Sequence, residues 1–452
     1  VLIVGAGITG LATAYYLSRA GLDVTVLEAT DHVGGKIATV PVAQMPVDVG
    51  PDAFLARGAD LQQLVQDLGL SDAIVEPASG SYIWSRGRLR PIPPGMAFGL
   101  PERLLPLLRS GLLSPAEVAR AGLDLVAPAT KVGEDPSIAD LVRPRFGEGV
   151  YRRLVEPLLG GVHAGDPAQL SAKSTAPEIY AIANGHRSVY SSLRKRRAAS
   201  PPPTSKRSAP LVSLQGGLST LTTALVARIG SVLTGQAVTS LNRQGNTWVI
   251  DTDDHEYRAD TLVLAIPAHQ ASPLLAPLSL PLAGLLADIP FVDVANTTLA
   301  FRRVDLPELP KGTGFLVPPV EDRFIVGCTW LTNKWPYLAN DETTLIKCMV
   351  GRAGDDRWLK MSDAEIVTGV RRDLADLLGI TVEPCESRVQ RWPQAMPQYV
   401  TGHAERIAHV SDLVATLGGL HLTGASYKGS GLAACATAAS TTAAAIAQGV
   451  AA

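Results

Sequence analysis

Three glycines within the first ten residues constrain this chain more than any other feature. Val1-Leu-Ile-Val4 is a short apolar run, mostly β-branched, suited to a strand buried on both faces. Gly5, Gly7 and Gly10 follow at once, and Leu11, Ala14, Tyr15 and Leu17 then recur at helical spacing until Gly21. Asp23-Val-Thr-Val-Leu-Glu28 reads as a second strand ending in a carboxylate. That acid falls about 20 residues past the glycines, the distance of a ribose from a pyrophosphate-wrapping turn. In such a unit the first glycine makes the turn and the second admits the phosphates. The third packs helix on strand, and the acid accepts hydrogen bonds from the ribose. The order of strand, glycine turn, helix, strand and acid predicts a dinucleotide site.

At 452 residues the chain exceeds the usual size of one core, which predicts two or three domains. A formal net charge of -2 gives no global reason to expect nucleic acid. Cys328, Cys348, Cys385 and Cys435 are far apart, with no CxxC pair. That argues against a disulfide framework and against a zinc site built on close pairs, so no metal is expected and the cytosol is the default compartment. No run of about 20 apolar residues is present, and Leu432 to Ala452, mostly Ala, Thr and Ser, reads as a packed helix. With the first strand starting at Val1, no signal peptide is expected, and a few leading residues are expected before it.

Asp31-His-Val-Gly-Gly-Lys36 offers amides and a cation to the same ligand, and Val47-Asp-Val-Gly-Pro-Asp52 lies just beyond. Trp84-Ser-Arg-Gly-Arg-Leu-Arg90 reads as a basic strand or hairpin, followed by a loop rich in Pro and Gly. Leu104 to Val126 has helical spacing, with Ser114-Pro-Ala-Glu117 as a helix start. Arg194 to Ser208 is basic and rich in Pro and Ser, which predicts a mobile loop; without interleaved aromatics it is no nucleic-acid patch. Leu211 to Gly217 is a strand and glycine pair before a helix, and Val232 to Leu241, Trp248 to Thr252 and Glu256 to Arg258 read as a meander. Thr261 to Pro267 is another buried strand, Asp363 to Leu378 an amphipathic helix, and Leu420 to Ala425 a strand before a second glycine turn and the closing helix. Dinucleotide-binding pieces therefore occur at the start, middle and end, interleaved with an antiparallel sheet. FAD suits such interleaving better than a nicotinamide cofactor, because its flavin reaches out between domains.

Gly5 to Gly10, Glu28, Gly34-Gly-Lys36, Gln215-Gly-Gly217 and Gly424 with its helix resemble the FAD-dependent amine oxidase and phytoene desaturase superfamily. Asp48 to Leu55, Glu156 to Asp166 and Trp392 to His403 are similar to the oxygen-dependent porphyrinogen oxidases of haem synthesis, which act on protoporphyrinogen or coproporphyrinogen. The resemblance implies an α/β fold with a Rossmann-like FAD domain assembled from discontinuous segments, a mixed-sheet substrate domain and a helical subdomain that can touch membrane. The expected boundaries are 1–80, 210–290 and 390–452 for the FAD domain, 81–209 for the helical domain with its loop 194–208, and 291–389 for the substrate sheet.

Carried over by position, the resemblance puts FAD contacts on Gly5, Ala6, Gly7, Ile8, Thr9, Gly10, Glu28, Gly35, Lys36, Gly50, Pro51, Asp52 and Ala53. Further contacts fall on Val238 by its backbone, on Trp392, and on Ser430, Gly431 and Leu432 near the isoalloxazine. Where mitochondrial relatives hold an arginine for a substrate propionate this chain has Ser81, so Arg86, Arg88 or Arg90 is expected to supply that charge instead. Asp52 is the expected polar residue for orienting the macrocycle or taking a proton; His163 and His403 read as hydrogen-bonded structural residues. The implied reaction is six-electron oxidation of a porphyrinogen by oxygen, with hydrogen peroxide released. The Arg-rich 86–90 stretch favours coproporphyrinogen III, with protoporphyrinogen IX as the alternative. An amine oxidase, a carotenoid desaturase and a non-catalytic Rab-escort-like protein are the remaining rivals. A cytosolic enzyme is expected, with peripheral contact at the inner face of the membrane and transient contact with the next haem-pathway enzyme.

Overall fold

The computed structural model describes residues 1–56, 58–97, 99–126, 133–185, 187–199 and 211–451. Five short strands form a parallel sheet in the order Ser231–Leu233, Thr25–Leu27, Leu2–Val4, Leu262–Leu264 and Leu420–Leu422. Its central strands are apolar throughout because helices cover both faces. On one face the first helix, Ile8–Arg19, packs against the closing helix, Leu432–Ala451. Ala12 and Ala14 meet Ala436, Ala439 and Ala443 there, and these small side chains are what make an Ala-rich helix a core element. Among the described residues no helix is long and apolar enough to cross a membrane.

A seven-stranded sheet forms the second layer, in the order Glu386–Pro397, Phe291–Arg302, Thr343–Val350, Ile325–Trp330, Gly314–Leu316, Tyr82–Ser85 and Arg88–Pro91. Only the Gly314–Leu316/Tyr82–Ser85 pair is parallel, so the sheet is mixed. The helix Asp363–Leu378 covers one face through Ile366, Val370 and Leu374. Ser362 and Glu365 form its capping box, and Gly379 closes it at φ +70°. A helical layer spans Leu104–Ser110 to Val189–Ala199 around its own core.

Three expectations are corrected. The hairpin Tyr82–Pro91 extends the large sheet instead of opening the helical layer, because the edge of its first strand pairs in parallel with Gly314–Leu316. The stretch Val232 to Leu241 is two strands broken at Gly235 (φ +68°): Ser231–Leu233 joins the parallel sheet and Val238–Gln244 starts the meander. Residues 194–199 of the expected loop are helical, carried by Leu193 in the helical core and an Arg196–Glu178 ion pair of 3.0 Å. The rest of that stretch, 200–208, lies outside the described residues.

Candidate cofactor and substrate site

The glycine turn between Leu2–Val4 and Ile8–Arg19 is built to receive a ligand. Gly5 stands at φ +104°, and a Cβ on Gly10 would lie 1.9 Å from the Gly5 carbonyl oxygen, so helix and strand meet too closely for a side chain. At Gly7 an added Cβ would meet nothing within 4 Å, so the middle of the turn faces open space. Gly34 N donates to Ala6 O at 2.8 Å, folding the second glycine pair back over the first turn, and a Cβ on Gly35 would lie 3.2 Å from Gly7 Cα. Glu28 Oε2 accepts from Ala6 N at 2.8 Å, and Oε1 accepts from Thr30 N and Oγ1. Oε2, with a single donor among the described residues, keeps lone-pair capacity for a ribose hydroxyl. Gln236 N donates to Glu28 O at 2.8 Å, so the strand beginning at Val238 starts beside the acid. Open space over Gly7, a nearby carboxylate and the amides of two glycine turns fit a dinucleotide.

The closing segment reaches the same place. Gly424 (φ +122°) comes within 3.9 Å of Thr9 Oγ1, measured from an added Cβ. Ser430, Gly431 and Leu432 open the long closing helix, and Gly429 N donates to Tyr399 Oη at 2.8 Å. Tyr399 stacks on His403 (4.2 Å between centroids), and His403 Nε2 is 3.0 Å from Tyr427 O, so this pair fixes the closing turn.

Val49 to Ala53 bridges the two sheets. A Cβ on Gly50 would lie 2.0 Å from Lys36 O. Val49 O accepts from Trp392 Nε1 at 3.0 Å and from Asn296 Nδ2 at 2.7 Å. Lys36 Nζ donates to Ala395 O, and burial holds its ammonium below the usual lysine range. Lys347 Nζ, buried in the strand Thr343–Val350, donates to Asp48 O at 3.1 Å and Gly50 O at 3.4 Å. Asp52 lies 2.9 Å from Lys334 Nζ and 3.6 Å from Lys347 Nζ, and accepts from Trp335 Nε1 at 3.4 Å. Burial by itself would raise Asp52; the two ammonium groups and these hydrogen bonds outweigh it and hold the carboxyl well below its usual range.

A carboxylate flanked by two lysines is a weak base, and these contacts tie the Gly50-Pro51 turn to the large sheet. Two of the hairpin arginines have partners within the chain. Arg86 pairs with Glu117 at 2.8 Å, and Arg90 donates to Ser85 O and Ser110 O. Arg88 is exposed on the edge strand, four sheet positions from the strand of Lys347 and on the far side from Trp392. Neighbouring strands lie about 4.8 Å apart, which puts the hairpin roughly 19 Å from Lys347. Lys334, Lys347, Asn296 and Tyr399 were not singled out in the sequence.

With this geometry in place, comparison with known proteins decides the lineage. A family profile described as flavin containing amine oxidoreductase matches residues 8–447. The chain belongs to this family. FAD is the family's cofactor, and the crevice fits it. Within the family the chain is 36% identical over 448 residues to the coproporphyrinogen III oxidase of Bacillus subtilis (strain 168), covering 96% of this chain and 95% of that protein. It is 32% identical to the coproporphyrinogen III oxidase of Staphylococcus aureus (strain NCTC 8325 / PS 47), covering 97% and 96%. A solved structure from Exiguobacterium sp. 255-15 superposes with a TM-score of 0.88 at 31% identity, covering 99% of this chain and 98% of that one. The flavin-containing family and its porphyrinogen-oxidising members are therefore those that the motifs resemble.

Proposed function

We propose that this protein is the FAD-dependent enzyme that oxidises coproporphyrinogen III to coproporphyrin III in haem synthesis, using molecular oxygen and releasing hydrogen peroxide. The observation that carries this reading is 32–36% identity, over nearly the full length, to coproporphyrinogen III oxidases, on a fold whose glycine turns fit FAD. The macrocycle loses six electrons and six hydrogens in three steps, each matched by one oxygen reduced to peroxide.

FAD, when bound, supplies two-electron acceptance from a methylene carbon and reoxidation by oxygen. The chain supplies position. Gly5 to Gly10 and Gly35 would hold the pyrophosphate, Glu28 and the backbone of Val238 the adenosine, and Lys36 would add a cation. Gly50 to Ala53, Trp392 and Ser430 to Leu432 would hold the ring system from three distant segments. Lys334 and Lys347 lock Asp52 and so keep the Gly50-Pro51 turn in shape.

The helical layer exposes Leu105, Leu108 and Val126, with Arg103 and Arg109 nearby in sequence, which supports peripheral contact with an anionic membrane and release of product toward the next pathway enzyme. Cytosolic placement with sedimentation on anionic vesicles is the expected behaviour. Formation of porphyrin fluorescence from coproporphyrinogen III in air tests the activity directly.

A further inference from the structure

The strand Leu262–Leu264 has a turn of its own, Ala265-Ile-Pro267, followed by the helix Ala268–Leu275. This turn packs on the glycine turn. A Cβ on Gly5 would lie 2.8 Å from Ile266 Cγ2, and one on Gly10 would lie 3.2 Å from Ala265 Cβ. His269, on the first turn of the helix, therefore stands at the carboxyl end of the parallel sheet, where open α/β sheets take their ligands.

The imidazole is held in one orientation. Its ring meets Phe291 edge-on, with centroids 4.5 Å apart and planes at 83°. Nδ1 is buried and has no hydrogen-bond partner among the described residues, whereas the side chain as a whole is half-buried, so its exposure lies toward the Nε2 edge. An orphaned buried N–H is rarer and costlier than an under-used buried acceptor. The single proton of the neutral ring accordingly sits on Nε2. Burial, and after it the Lys36 charge, lowers the ring's affinity for a second proton. His269 thus presents one fixed, uncharged donor beside Lys36.

We propose that His269 Nε2–H donates a hydrogen bond to an oxygen of the bound dinucleotide, in its phosphate or ribityl portion, making His269 a cofactor-binding residue. The inference rests on the FAD reading above.

The test is FAD affinity, measured by release of flavin fluorescence from the holoenzyme on dilution, for His269→Ala, His269→Asn and His269→Gln. Glutamine places an amide N–H where Nε2 stands, and asparagine places one where Nδ1 stands. The Ala and Asn variants should weaken FAD binding about tenfold, while Gln should stay within about threefold of wild type. A purely structural role against Phe291 would rank Asn and Gln alike. Unchanged affinity in all three, or rescue by Asn instead of Gln, overturns the proposal. So does unchanged FAD affinity with a raised KM for coproporphyrinogen III, which would assign the donor to substrate carboxylates. Should the Ala variant fail to fold, the Asn/Gln comparison stands with ring ¹⁵N NMR of the wild-type protein, where a neutral ring protonated on Nδ1 overturns the proposal. Wild-type protein that neither retains nor takes up FAD would instead remove the FAD reading, and this inference with it.

Discussion

Lys334 Nζ lies 2.9 Å from Asp52 Oδ2, joining residues 282 positions apart in a contact that side chains only 14% and 17% exposed shield from water. The turn that carries Gly50 and Pro51 is thereby fixed by the large sheet, not by its own segment. Removing one partner of such a pair leaves a charge without compensation, at a cost of about 3 kcal/mol or more. Asp52→Asn should therefore lose about that much stability to chemical denaturation and lower the flavin content of purified protein. With Asp52 flanked by two ammonium groups, the pH dependence of kcat/KM should keep its shape. Loss of an acid limb in that profile, at wild-type stability, would return Asp52 to the chemistry.

The glycine turn separates folding from binding. Gly7→Ala adds a Cβ that meets no protein atom within 4 Å, so the apoprotein should melt within a few degrees of wild type. The same methyl occupies the space over the turn, and FAD affinity should fall by about a hundredfold or more. Gly10→Ala drives a Cβ to 1.9 Å from Gly5 O and should destabilise the apoprotein as well. Melts of both apoproteins, set beside their flavin absorbance, make the comparison. Full flavin occupancy in Gly7→Ala would show that the phosphates lie elsewhere.

Asp48 makes stability depend on pH in an unusual direction. It is buried, Leu218 N and Thr39 Oγ1 hydrogen-bond to it, and burial pushes its carboxyl up to about 6 despite those bonds and the Lys347 charge. The folded chain thus binds a proton that the unfolded chain releases near pH 4, so the stability contributed by this group falls as pH rises from about 4 through 6. Asp48→Asn, which keeps an oxygen for Leu218 N, should remove that slope. The difference between wild type and variant should reach roughly 2–3 kcal/mol across the window by urea denaturation at stepped pH. A parallel pair of curves would mean that Asp48 titrates normally.

The Trp392 side chain donates from Nε1 to Val49 O at 3.0 Å. Trp392→Phe keeps the aromatic surface and removes the donor, leaving Val49 O to Asn296 alone. Stability should drop by about 1 kcal/mol, and the flavin absorption band of the holoenzyme should shift if Trp392 borders the ring. An unmoved spectrum would place the ring away from this strand.

Local chemistry was well marked in the residues. The N-terminal unit, the buried strand before Pro267, the helix from Asp363 to Leu378 and the start at Ser114 follow from glycine spacing, apolar runs and capping boxes, which act within a few residues. The site's electrostatics did not follow, because Asp52 meets lysines from segments roughly 280 to 300 positions away and no local pattern records that meeting. Lys347 shows why. In Thr343–Val350 it shares a sheet face with the buried Leu345, and Asp48 to Gly50 covers that face and supplies carbonyl oxygens for the ammonium. The hairpin makes a related point: a cluster of charge does not reveal that Glu117 and two backbone carbonyls take up Arg86 and Arg90.

The most direct measurement is aerobic turnover of purified holoenzyme with chemically reduced coproporphyrinogen III and, separately, protoporphyrinogen IX, following porphyrin fluorescence and oxygen uptake together. Coproporphyrin III should form with three oxygen molecules consumed per macrocycle, and with a kcat/KM above that for protoporphyrinogen IX. A protein that carries FAD yet leaves both porphyrinogens at their uncatalysed oxidation rate would contradict the proposed function.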